Sequence, residues 1–169
     1  IILVERGNHI SYANCGLPYY LGGSILERDR LFVLKPEDFR QRMAVDVRTG
    51  TEAFAIDAIN KTIKLEDLAS GTTSVEKYDA LVLSPGAAPI KPPIPGMELE
   101  GIFTLRSVPD VDAIKKYVDE KKPERAVIIG GGFIGLEVAE NLHDRGVFVT
   151  IVEALDQLMN VLDPEMAAM

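Results

Sequence analysis

Two short stretches of this 169-residue sequence carry residue types that can do chemistry. The first is SYANCGLPYY, residues 11–20, which holds the sole cysteine, Cys15, between Asn14 and Gly16 and three residues before Pro18. A lone cysteine is either an inert buried side chain or a nucleophile. Pro18 suits the first turn of a following helix. That would set the sulfur near a helix N-terminus, where the positive end of the dipole favours thiolate. One thiol cannot form an internal disulfide. Redox chemistry at Cys15 is therefore left with a mixed disulfide, a persulfide or a sulfenic acid.

The second stretch is GGGFIG, residues 130–135, where Gly130, Gly132 and Gly135 satisfy GxGxxG around Phe133 and Ile134. The pattern alone is weak, but its setting is informative. AVII precedes it as a strand, LEVAENLHDRG follows as a helix ending at Gly146, and a second apolar strand, VFVTIV, runs into Glu153, 18 residues past Gly135. In this geometry the first glycine permits the tight turn, the second admits a pyrophosphate to the backbone amides, and the third allows close helix–strand packing. The helix N-terminus faces the anion. A carboxylate at Glu153 holds a ribose diol and repels a 2′-phosphate, so NADH is expected over NADPH. The plainer alternative is a strand–turn–helix with a surface Glu and no ligand.

The elements around these stretches follow from periodicity and turn residues. Residues 1–5 read as a short buried strand ending in an acid, Glu5, and residues 6–18 as turn-rich. Residues 36–43 suit a helix with Pro36 and two acids in its first turn, and residues 45–48 a short strand. Three alternating segments, 52–59, 62–68 and 73–78, are separated by NK and ASGT and form the pattern of an antiparallel meander. Residues 80–83 read as a continuous apolar strand ending in SPGAAP, and IKPPIPG after them is too proline-rich for helix or strand. A helix is expected over 110–121. The resulting class is α/β: parts of two Rossmann-like three-layer units with an antiparallel β-meander in the first, divided near residues 106–109 into 1–107 and 108–169.

Net charge is −8, and no run of Lys and Arg stands out, which argues against nucleic acid or an anionic membrane as partner. The expected partner is a small molecule. No apolar run approaches the roughly 18 residues of a membrane span, no signal region is visible, and no metal site is indicated, so the expected location is cytoplasmic. The sequence opens in a β-branched run without Met and stops inside the first turns of a helix, so it reads as a fragment.

Five blocks in order, ISYANCGLPYYLGG, KPEDF, YDALVLSPGAAP, TLRS and VIIGGGFIGLE, resemble the single-cysteine branch of the flavin-dependent pyridine nucleotide–disulfide oxidoreductases. The resemblance is strongest to coenzyme A disulfide reductases and NADH-dependent persulfide reductases. It implies an FAD-binding part at 1–107, its first strand and glycine turn lying before Ile1, and the N-terminal part of an NAD domain at 108–169. It also implies a further C-terminal dimerisation domain and a homodimer. By position, Glu5 would hold the FAD ribose beside Arg6, and Ala53 would meet the adenine. Ser84, Pro85 and Gly86 would pass close to the FAD, and Arg106 would contact it. Ser11 and Asn14 would line the thiol-substrate site, with Asn14 also reaching the cofactor. Gly130, Gly132, Phe133, Ile134, Gly135 and Glu153 would bind NAD, and Glu137 would lie near the nicotinamide. The implied reaction takes electrons from NADH through flavin to Cys15, which reduces a CoA disulfide, CoA persulfide or polysulfide. Lys35, Arg40 and Arg42 are candidates for the CoA phosphates, although Met43 stands where some relatives carry a lysine. The rival readings are an NADH oxidase or peroxidase cycling through sulfenic acid, and a nucleotide-binding fragment without catalysis of its own.

Overall fold

The computed structural model describes residues 1–168. In chain order its elements are β1 Ile2–Glu5, α1 Leu17–Gly22, α2 Pro36–Met43, β2 Asp46–Thr49, β3 Thr51–Asp57, β4 Thr62–Asp67, β5 Thr73–Lys77, α3 Val108–Lys121, β6 Arg125–Ile129, α4 Phe133–Asp144, β7 Phe148–Val152 and α5 Pro164–Ala167. They form two compact units: Ile1–Tyr12 with Phe32–Ala87, and Ala13–Leu31 with residues 88–168.

In the first unit β1 and β2 pair in parallel, with Leu3 opposite Val47. The intervening α2 starts where expected. Pro36 occupies its first turn, and the Asp38 carboxylate accepts the Lys35 N–H at 3.0 Å. It ends at Ala44, whose φ of 52° is left-handed. The meander is present as β3–β4–β5, antiparallel throughout, with an irregularity between Ala53 and Ala55. Its turns are built by acids: Asp57 accepts the N–H groups of Ile59 and Asn60, and Asp67 those of Ala69 and Ser70. Val45, Val47 and Leu65 form the buried centre.

One expected strand is absent. Residues 80–83 have no ladder partner among the described residues, and Val82 and Leu83 are exposed. A short apolar run is compatible with extended backbone, but a strand exists only when a neighbour accepts and donates its hydrogen bonds.

The second unit contains the expected strand–turn–helix–strand. β6 and β7 pair in parallel, Val127 opposite Thr150, and α4 lies between them in sequence. Its other long helix, α3, begins two residues before the expected start because Ser107 caps it. The Asp110 carboxylate accepts the Ser107 N–H at 2.8 Å, and Pro109 fits the first turn. The short α1 packs against both α3 and α4. Leu17, Leu21, Val108, Val111, Leu142 and Val147 are buried here.

Candidate functional site

Cys15 sits in a single 3-10 turn, Asn14–Gly16, that leads directly into α1 with Pro18 in its first turn. The turn is closed by Gly16 N–H donating to Ala13 O at 3.0 Å, and Ala13 N–H donates to Leu31 O at 2.8 Å. Gly16 is closely packed: a Cβ there would lie 3.2 Å from Leu31 Cδ2 and 3.3 Å from Ile25 Cδ1, so these side chains would have to give by a few tenths of an ångström. The thiol is exposed. It lines a cavity of about 230 Å³ with Asn14, Leu105, Arg106, Ile134 and Glu137. The Arg106 guanidinium donates to Asn14 Oδ1 at 3.1 Å across 92 residues of sequence. Ile134 and Glu137 belong to α4, the helix that opens at the glycine turn.

At that turn Gly130 has φ of 107°, left-handed backbone that β-carbons disfavour, and its N–H donates to Val152 O at 2.9 Å. Open space surrounds the Cβ positions of Gly130 and Gly132, whereas a Cβ at Gly135 would meet Gly130 O at 2.1 Å. The turn is thus open toward a ligand and tight toward the helix. The first N–H groups of α4 have no intrahelical acceptor and supply donors for an anion. Glu153 follows β7, and its Oε2 accepts the Gly131 N–H at 2.7 Å while Oε1 accepts that of Leu155 at 3.0 Å. These bonds, Gly131's foremost, hold the carboxyl below its ordinary range. A carboxylate has about four lone-pair sites, so acceptor capacity is left for a ribose diol. The middle glycine, Gly131, was not singled out in the sequence. Met159 N–H donates to its carbonyl at 2.8 Å, and Leu158 lies so close that a Cβ would fall 2.3 Å from its Cδ2.

Glu5 ends β1 as Glu153 follows β7: its Oε1 accepts the N–H of Gly7, two residues on, at 2.6 Å. Arg6 pairs with Glu52 at 3.5 Å. Ala53 is exposed on β3, Ser11 O accepts the Val33 N–H, and Ser84, Pro85 and Gly86 lie in exposed irregular backbone, Gly86 with φ of 71°. All of these belong to the first unit, as do Lys35, Arg40 and Arg42. Arg40 donates to Val47 O and pairs with Glu37, and Arg42 pairs with Asp38. The second unit by itself therefore brings together Cys15, Asn14, Arg106, Ile134 and Glu137. Leu105, which stands beside Arg106 in the TLRS block, joins this group although no site role was expected of it.

The family model for pyridine nucleotide-disulphide oxidoreductases matches residues 1–169. The chain belongs to this family. Among curated relatives, the chain is 37% identical over 168 residues to an NADH oxidase of Methanocaldococcus jannaschii and 34% identical over 166 residues to a coenzyme A disulfide reductase of Staphylococcus haemolyticus. These alignments cover 99% and 98% of the chain but 37% of each relative, so the chain spans little more than a third of their length. Two solved structures superpose on it. The reduced CoADR-RHD of Bacillus anthracis does so at TM-score 0.97 and 53% identity, and an NAD-dependent persulfide reductase from A. fulgidus at 0.93 and 42%. Each superposition covers 99% of this chain, and 30% and 31% of the respective structures. The mixed α/β architecture matches that part of the oxidoreductase fold. Its residues fit the dinucleotide that the family name implies, because the glycine turn leaves a backbone cradle open where a Cβ would otherwise intrude.

Proposed function

We propose that the full-length protein is an NADH-dependent flavoprotein reductase whose Cys15 reduces a small disulfide or persulfide, with coenzyme A as the carrier thiol. Residues 1–107 contribute to the FAD site and residues 108–169 to the NAD site. Glu5, Arg6, Ala53, Ser84, Pro85, Gly86 and Arg106 would hold FAD, and Gly130 to Gly135 with Glu153 would hold NADH. The observation that carries the reading is the exposed lone thiol in one cavity with two residues of the helix that opens at the glycine turn.

The Cys15 thiolate attacks one sulfur of the substrate. The substrate S–S bond breaks, the other sulfur leaves as a thiolate and takes up a proton, and a mixed disulfide or persulfide remains on Cys15. When bound, the nicotinamide and flavin supply the two-electron chemistry that returns Cys15 to the thiol form. The balance is one disulfide, one NADH and one proton giving two thiols and NAD⁺; with a persulfide the products are one thiol and hydrogen sulfide. Arg106, held by Asn14, places a positive charge in the cavity that the thiol lines.

The test is anaerobic NADH oxidation by the full-length protein with CoA disulfide or CoA persulfide, beside its Cys15→Ser variant. Turnover that the variant loses supports the reading, and the faster substrate identifies the reaction. The similarity to the M. jannaschii NADH oxidase supports a second reading, oxygen reduction through a Cys15 sulfenic acid. NADH consumption that requires oxygen or peroxide and ignores both sulfur substrates would select it.

A further inference from the structure

The helix after the thiol, α1, has six residues, too few to hold its own orientation in water. What fixes α1 therefore fixes Cys15. Along one face of α4 the residues 134, 137, 141 and 145 recur at helical spacing. Ile134 and Glu137 line the thiol cavity. Asn141, buried to 3% exposure, donates from Nδ2 to Glu137 O at 2.8 Å and lies against Gly22 at the end of α1. Arg145, which ends α4, donates from Nη1 to Leu21 O at 3.1 Å and from Nη2 to Asp119 of α3. The Leu21 carbonyl is one of the last-turn acceptors that no intrahelical N–H reaches. A guanidinium there also complements the negative end of the α1 dipole. Lys115 pairs with the same Asp119 at 3.4 Å, and Arg145 above all keeps that carboxyl below its ordinary range.

We propose that Arg145 is a positioning residue for Cys15: by joining the end of α4 to the end of α1 and to α3, it sets the thiol relative to Glu137 and the glycine turn. This rests on the reading of Cys15 as the reacting group. The role is separable from folding. Arg28 independently clasps residues 28–31 to α3, donating to Asp112 from Nε at 2.9 Å and from Nη2 at 2.8 Å, and α1 itself is anchored by the buried apolar side chains of Leu17 and Leu21.

The experiment uses the full-length, flavin-loaded protein and its Arg145→Met and Arg145→Lys variants. It measures turnover with NADH and the better sulfur substrate, the rate of Cys15 alkylation by iodoacetamide from pH 5 to 9, and Tm. Arg145→Met is expected to lower kcat about 10- to 100-fold, the range that a displacement of about 1 Å produces. KM for NADH should hold while the alkylation profile shifts, and Arg145→Lys, which keeps the charge, should recover part of both. A variant with lowered Tm but unchanged kcat and alkylation profile overturns the proposal, because Arg145 is then only structural. If Arg145→Met does not retain flavin, Asp119→Asn, which preserves shape and an acceptor, is judged by the same two readouts. Turnover retained by Cys15→Ser would instead overturn the reading under Proposed function, and the alkylation profile would then decide the positioning role alone.

Discussion

Replacing Gly22 by alanine tests the closest approach between the thiol-bearing segment and the glycine-turn helix. An ideal Cβ at Gly22 would lie 2.0 Å from Asn141 Oδ1, 2.7 Å from its Cγ and 2.8 Å from its Cβ. Turning the Asn141 side chain relieves the first two contacts but not the third, because Cβ is fixed to the backbone of α4. The helices must therefore separate by roughly 1 Å to restore the ordinary carbon–carbon distance of about 3.5–4.0 Å. Overpacking of this kind costs about 1–3 kcal/mol, and disturbing the Asn141 bond to Glu137 O costs about 1 kcal/mol more. The better helix propensity of alanine offsets up to about 1 kcal/mol. The net expectation is a loss of about 1–3 kcal/mol, read as a fall in Tm. The assay is thermal unfolding of the full-length protein, its Gly22→Ala and Asn141→Gly variants and the double variant. Asn141→Gly removes the obstructing Cβ, so Gly22→Ala should cost much less in that background, with a coupling of about 1 kcal/mol or more. A Gly22→Ala protein as stable as its parent, or effects that add within about 0.5 kcal/mol, would refute the close packing of α1 on α4.

Ala44 ends α2 at φ of 52°. Ala44→Gly should stabilise by about 0.5–1 kcal/mol, since the left-handed strain removed exceeds the entropy that glycine adds to the unfolded chain; an unchanged or lower Tm would contradict this. Glu153→Gln should weaken NADH binding by about 10-fold, because a neutral amide is a weaker acceptor than a carboxylate, and should narrow the preference over NADPH; fluorescence titration with both nucleotides decides. The backbone bonds of Glu153 depress its pKa, so its stabilisation of the glycine turn is complete above the ordinary carboxylate range and is lost only as pH falls through the depressed value. Between pH 8 and 5 NADH affinity should therefore show no titration that Glu153→Gln abolishes.

Local features were legible because they have local causes. Pro36 with two acids announced α2, NK and ASGT announced the meander turns, and the glycine spacing with flanking strands announced β6–α4–β7. Residues 80–83 failed as a strand because their apolar character is local while the ladder that would make them one is not. The start of α3 lies two residues before the expected one because the Ser107 cap decides the boundary, bringing Val108 into the helix three residues before Val111 on the same buried face.

From sequence alone came the residue types with chemical potential: one thiol, a glycine turn, and an acid after each of two parallel strands. Spacing along the chain is enough for these, since turn chemistry and periodicity act over a few residues. Only the tertiary structure assembled them. Asn14 meets Arg106 across 92 residues, and Arg145 reaches Leu21 O across 124. A Cβ at Gly131 would displace the Leu158 side chain, which lies against it from 27 residues further along the chain. These depend on how helices cross and how far backbones approach, which side-chain volume and buried hydrogen bonds set in three dimensions and no periodicity records.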